Sequence, residues 1–211
     1  MKKIVGLVTV VVLALALAAT SALGAGLYSQ TDLMMLPTPD AIRSGDMALA
    51  LNFMEDDFTQ MNFDFGLLTD LEVGIAAYNF DHETDFSVRA KYQLLHEAKS
   101  QPSLAVGIQD IGEDDLSPYL VLGKTFAEPG IEGYLGAGGG YFDGLFAGIS
   151  KTFKIGSARN NNQLQAVQVF AEAVSGDFNL GAKLRLKAPV VVNFGFYDMD
   201  RWVLGGTIDL H

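Results

Sequence analysis

The stretch Gln60-Met61-Asn62-Phe63-Asp64-Phe65 alternates polar and apolar residues without a break. In an extended chain successive side chains point to opposite faces, so Met61, Phe63 and Phe65 share one face and Gln60, Asn62 and Asp64 the other. A helix would scatter both sets around its circumference. Period two therefore selects a strand with one apolar and one wet face. The same switching recurs in Phe86-Ser87-Val88-Arg89-Ala90-Lys91-Tyr92-Gln93-Leu94 and in Phe178-Asn179-Leu180-Gly181-Ala182-Lys183-Leu184-Arg185-Leu186.

Extending this reading predicts about twelve strands, near 47–54, 57–67, 71–80, 85–95, 102–111, 117–126, 131–139, 144–153, 164–174, 178–187, 190–198 and 201–210. Tight turns such as Thr69-Asp70 and Ser175-Gly176-Asp177 separate most of them. Strands joined so closely pair antiparallel with their sequence neighbours, which gives an up-and-down meander. An open meander of this size leaves two unpaired edges, and closure into a barrel removes both. The predicted fold is all-β, a closed antiparallel transmembrane β-barrel.

The choice of membrane follows from the faces. The wet face carries Asp64, Glu72, Arg89, Lys91, Lys183 and Arg185 among glycines, while Leu, Val, Phe and Ile recur on the other. About eight strands already enclose just enough space for side chains, so twelve are expected to surround too wide a lumen for a dry core. The charged face is thus assigned to the lumen and the apolar face to lipid. Strands near ten residues match the roughly nine to eleven that a tilted strand needs to cross a bilayer. Mutual salt-bridging is expected for the six lumen charges, with a charge-selecting constriction as the functional alternative. Arginine at Phe63, Val88 or Leu180 should impair assembly, whereas neutralising Arg89 or Lys183 should be tolerated far better.

Ahead of the strands, Lys2 and Lys3 precede an uncharged apolar run that tapers into small residues ending at Ala22-Leu23-Gly24. That is the layout of a secretory signal peptide spanning 1–24, with the mature chain starting near Ala25. Residues 25–46 lack alternation and hold Pro37 and Pro39, so they are expected to form an irregular lead-in folded under the barrel of 47–211. No cysteine is present, which excludes a disulfide framework and a lipid-modified cysteine. The formal charge is −11, and loss of Lys2 and Lys3 with the leader takes it to −13. Nucleic acid is not expected as a partner for such an acidic chain.

Few residues suggest chemistry. Gly123-Lys124-Thr125 resembles the end of a phosphate loop, but the required upstream glycine is replaced by Pro118 and the triplet lies in a strand. Gly136-Ala137-Gly138-Gly139-Gly140 opens no helix and reads as a narrow strand and turn. His82, His96 and His211 fall in connections or at the chain end, away from any Ser and carboxylate on a shared face. No His/Cys cluster has zinc spacing. No catalytic, cofactor or metal residue is assigned, and the protein is not expected to be an enzyme.

The segment Asp85–Phe126 contains Val88-Arg89-Ala90-Lys91-Tyr92, then Pro102-Ser103-Leu104-Ala105-Val106-Gly107-Ile108-Gln109-Asp110-Ile111-Gly112, then Tyr119-Leu120-Val121-Leu122-Gly123-Lys124. Together with Leu36-Pro37-Thr38-Pro39-Asp40-Ala41 and Gly66-Leu67-Leu68-Thr69-Asp70-Leu71-Glu72-Val73-Gly74, it resembles the YjbH-type family of outer-membrane proteins associated with exopolysaccharide production. The resemblance covers about half of the mature chain. Relatives are often longer and some are lipoproteins, so this chain would be a short, single-barrel member anchored by its strands. The resemblance implies outer-membrane localisation after export, a structural or export-accessory role and a link to extracellular polysaccharide. It transfers no chemistry to particular residues.

With the first strand starting from the periplasmic side and the last returning to it, odd-numbered connections face outward. They concentrate acid: Asp56, Asp57, Glu113, Asp114 and Asp115 stand out, against a lone Arg201. The opposite connections carry Lys99, Lys151, Lys154, Arg159 and Lys187. An acidic outer rim would concentrate cations, so divalent cations and anionic polysaccharide join the lipid bilayer as expected partners. Two rival functions remain at this point, a small cation-preferring pore and a soluble periplasmic ligand-binding barrel.

Overall fold

A computed structural model describes residues 26–27, 29, 31–80, 83–112, 116–126, 130–155, 163–187 and 189–210. The signal peptide assigned to 1–24 and the rim residues Glu113, Asp114 and Asp115 lie outside the described residues. Twelve strands follow one another: β1 Met47–Met54, β2 Phe58–Leu68, β3 Leu71–Phe80, β4 Glu83–Leu95, β5 Ser103–Gln109, β6 Ser117–Phe126, β7 Ile131–Gly138, β8 Gly144–Lys154, β9 Leu164–Val174, β10 Asp177–Leu186, β11 Val190–Tyr197 and β12 Arg201–Leu210. Each pairs antiparallel with its sequence neighbours, and β12 returns to β1 from Met47↔Leu210 to Met54↔Val203. The barrel is closed and has no free edge.

Turn chemistry explains several of the acids between strands. Asp56, Asp57, Asp70 and Asp198 have φ of 67°, 57°, 67° and 47°. Short Asx side chains tolerate this left-handed region better than most residues, so tight turns recruit them. Asp70 sits at the opposite barrel end from Asp56, so turn geometry places acid at both ends. It supplies no reason for the scarcity of Lys and Arg at one of them.

The strand register fixes which face is which. Phe63, Ile75 and Val88 are direct partners across β2, β3 and β4 and are 42, 52 and 41% exposed. The next row, Asp64–Gly74–Arg89, is buried on the inner side. A soluble barrel has the reverse polarity, with apolar side chains inside.

The lumen corrects two expectations. The N-terminal segment does not lie under the barrel; it runs inside it, and its side chains pack the interior. Leu27, Leu33, Met34, Met35 and Leu36 are at most 5% exposed. They pack in one cluster with Tyr119, Phe146, Phe170, Val174 and Val203 of the inner wall and with Phe142. Wall side chains alone are too few to fill a barrel of twelve strands, and a second layer of chain supplies the rest. At the end away from the start of β1, a 3-10 turn at Gly140–Phe142 folds inward. Phe142 there meets Tyr119 edge-on at 5.0 Å and lies 5.5 Å from Phe146. Inner-wall glycines make room for this filling: a Cβ at Gly148 would stand 2.9 Å from Leu36 Cδ1, and one at Gly123 2.9 Å from Pro39 Cγ.

Candidate functional site

The polar groups of the lumen converge on the N-terminal segment. Glu172 on β9 is buried and accepts three consecutive backbone N–H groups, from Met34 at 3.1 Å, Met35 at 2.7 Å and Leu36 at 3.2 Å. Its cross-strand partner Asn179 donates a fourth bond at 2.9 Å. On the opposite wall, Glu72 of β3 accepts the Ile42 N–H at 3.0 Å, the Thr31 hydroxyl at 3.0 Å and the Ser29 hydroxyl. The segment has no regular structure, so its backbone N–H groups lack ladder partners, and two wall carboxylates supply them. Lys183 of β10 donates to the Asp32 carbonyl, and Asn62 of β2 to the Leu27 carbonyl at 2.5 Å.

The six lumen charges predicted from sequence divide into groups. Arg89 reaches across Gly74 to Asp64, its Nε 3.1 Å from Oδ1. Any side chain at Gly74 would strike the guanidinium, with a Cβ 2.7 Å from Nε. Glu72 and Lys91 are direct cross-strand partners, 3.6 Å apart at Oε2 and Nζ. Lys183 stands on the far wall from these pairs, and Arg185 lies half-buried two residues nearer the barrel end. Asp32 and Glu172 were not singled out from sequence. Asp32 sits in a segment without periodicity, and Glu172 looked like any inward polar residue of an alternating strand.

Asp32 completes the Glu72–Lys91 group, with its Oδ1 3.6 Å from Lys91 Nζ. Burial pushes its carboxyl up to about 7, against the pull of Lys91. An exposed Asp titrates near 3.9, so between those values the folded state holds a proton that the unfolded state has lost. Stability therefore falls as pH rises from about 4 to about 7 and levels off above. Asp32→Asn is expected to flatten that part of the melting-temperature profile relative to the parent protein. Parallel profiles would show that Asp32 does not titrate there.

Outside the lumen, Asp56 and Asp57 are exposed in the β1–β2 turn. Among the described residues no three His, Cys, Asp or Glu side chains converge to hold a metal ion. The Gly123-Lys124-Thr125 triplet lies within β6, and Thr125 there bonds Glu97 through both its N–H at 2.9 Å and its hydroxyl at 2.8 Å.

Comparison with known proteins adds one decisive match. No curated protein matches the chain in sequence. Among solved structures, the outer membrane protein Omp33 of Acinetobacter baumannii is similar at 12% identity, over 79% of this chain and 96% of that one, with a TM-score of 0.47. The family described as exopolysaccharide biosynthesis protein YbjH matches residues 25–188. That span runs from the start of the lumen segment through β10 and takes in Asp32, Glu72, Glu172 and Lys183. A match over well more than half of its length makes this chain a member of the YjbH exopolysaccharide biosynthesis family.

Proposed function

We propose that this protein is an outer-membrane barrel, plugged by its own N-terminal segment, that serves as a structural or export-accessory component in extracellular polysaccharide production. The observation that carries this reading is the occupied lumen: Glu72 on one wall and Glu172 on the other hold the same segment between them. Lipid is the first partner, because the apolar outer rows have no protein cover and the strands have spanning length. Membership of the family supports the link to polysaccharide.

A freely open cation pore fits the interior poorly, since solute would have to displace the segment. A soluble ligand-binding barrel fits the exterior poorly, since it would expose rows such as Phe63–Ile75–Val88 to water. A non-enzymatic role is part of this proposal; His96 is exposed in the connections, 3.0 Å from Asp70, and His82 and His211 lie outside the described residues.

The mature protein is expected to fractionate with the outer membrane and to shift in mobility on gels when heated. It should show no steady conductance in planar bilayers, and its deletion should lower exopolysaccharide output. Recovery as a soluble periplasmic protein without detergent would remove the barrel from the membrane. A large open-channel current from the parent protein would favour the pore.

A further inference from the structure

One part of the inner wall is poorly matched to the segment that covers it. The register aligns Asn193 of β11, Gly205 of β12, Asn52 of β1 and Gln60 of β2 in a single row across four strands. Asn62 lies on the same face of β2, one inward position further along. All four amide side chains are at most 6% exposed. Gly205 leaves a gap that the two asparagines bridge, Asn193 Nδ2 donating to Asn52 Oδ1 at 3.2 Å. A Cβ at Gly205 would stand 2.7 Å from Asn193 Oδ1.

These amides have much unused capacity. Asn52 Nδ2, both polar atoms of Gln60, Asn62 Oδ1 and Asn193 Oδ1 have no hydrogen-bond partner. Among the described residues of the segment, the Leu27 carbonyl is the group that bonds to them, accepting from Asn62. Beside the row it presents the methyl end of Met34, which would collide with any side chain at Gly195 on the same face of β11. Burying an amide without a partner is costly, and native structures do so rarely and with a reason. The neighbouring polar groups of the lumen, Asp64–Arg89 and Glu72–Lys91 with Asp32, are ion pairs, whereas the row carries no charge. The row therefore offers neutral donors and acceptors together.

We infer that the amide row Asn193–Asn52–Gln60, with Asn62, is a binding site for an uncharged, hydroxyl-rich chain, a neutral glycan segment, which the N-terminal segment covers until it is displaced. Vicinal hydroxyls donate and accept side by side, as primary amides do, so the two pair in matched sets. Across the barrel, Tyr119, Phe146 and Phe170 on β6, β8 and β9 face the lumen and supply flat surfaces for the C–H faces of sugar rings. This inference rests on the proposed role in polysaccharide production and adds the site and the class of ligand.

Gln60 gives the sharpest test, because both its polar atoms are unpaired. The full-length protein in detergent micelles would be titrated by calorimetry with neutral β-1,4-glucan, α-1,6-glucan and β-1,4-mannan hexasaccharides and with an anionic oligogalacturonate. At least one neutral oligosaccharide should bind. Gln60→Met, close in volume, should weaken that binding at least tenfold and raise the melting temperature, since it removes an unpaired amide. Leu36→Cys with Gly148→Cys, bridged by a short bis-methanethiosulfonate, should abolish binding until the bridge is reduced. The inference is overturned if no neutral oligosaccharide binds, if only the anionic one does, or if bridging leaves binding unchanged. It is equally overturned if Gln60→Met lowers the melting temperature or leaves binding as it was. Loss of exopolysaccharide on deletion, with full rescue by Gln60→Met and unchanged binding, sinks the glycan site alone. No loss on deletion sinks the accessory role itself.

Discussion

Glu172→Ala is expected to turn a closed barrel into a conducting one. The carboxylate holds the N–H groups of Met34, Met35 and Leu36 together with the Asn179 amide. Its removal leaves four buried donors without an acceptor, each at a cost of about 1–3 kcal/mol. The strands keep their ladders, so the loss falls on the segment and not on the wall. Planar bilayers should then show conductance steps that the parent protein lacks. The absence of native cysteine allows a second measurement, the labelling rate of Met34→Cys, which should rise sharply when Glu172→Ala is added. Glu172→Gln keeps one acceptor oxygen and should fall between the two. A silent Glu172→Ala channel with Met34→Cys still protected would mean that apolar packing alone retains the segment.

The second large effect separates two adjacent residues of β4. Val88 faces outward and is 41% exposed, while Arg89 faces inward and is 5% exposed. Val88→Arg puts a charge against lipid, at about 2–4 kcal/mol near the bilayer midplane. Neutralising Arg89 was expected from sequence to be mild, and the geometry reverses that expectation. Arg89→Gln strands Asp64, itself 1% exposed, and breaking a buried pair from one side costs about 3–5 kcal/mol. Both variants should lower the yield of heat-modifiable barrel in membranes, for different reasons. Asp64→Asn should restore much of the yield to Arg89→Gln and none to Val88→Arg. Equal rescue of both, or of neither, would mean that the Arg89–Asp64 contact does not carry the cost.

How far the sequence discloses this molecule depends on how local each cause is. Strand positions and faces are legible because alternation acts over two residues, as in Met61, Phe63 and Phe65 against Asn62 and Asp64. Closure follows from the number of strands and the brevity of the turns. The lumen segment was not legible. It has no period, and its contacts with Glu72 and Glu172 join residues 30 to 43 and 136 to 138 positions apart. The run Leu33-Met34-Met35-Leu36 did hold a usable signal, since four consecutive large apolar residues outside any strand demand a cover. The amide row was equally hidden. Asn52 and Asn193 are 141 positions apart and meet only because β12 returns to β1 with Gly205 between them.

That return also has a kinetic meaning. The β1–β12 seam joins the two ends of the described barrel, from Met47↔Leu210 to Met54↔Val203, and contacts so distant along a chain are slow to form. The chain leaves the lumen at the start of β1, one edge of that seam. The segment binds Glu72 on β3 and Glu172 on β9, so one seated early would hold the two halves of the wall together and bring β12 toward β1. Seating is therefore expected to speed closure, with the segment as a mandrel on which the barrel is wound. Mutations that weaken its hold would then show first in the rate of assembly, before any change in the finished barrel.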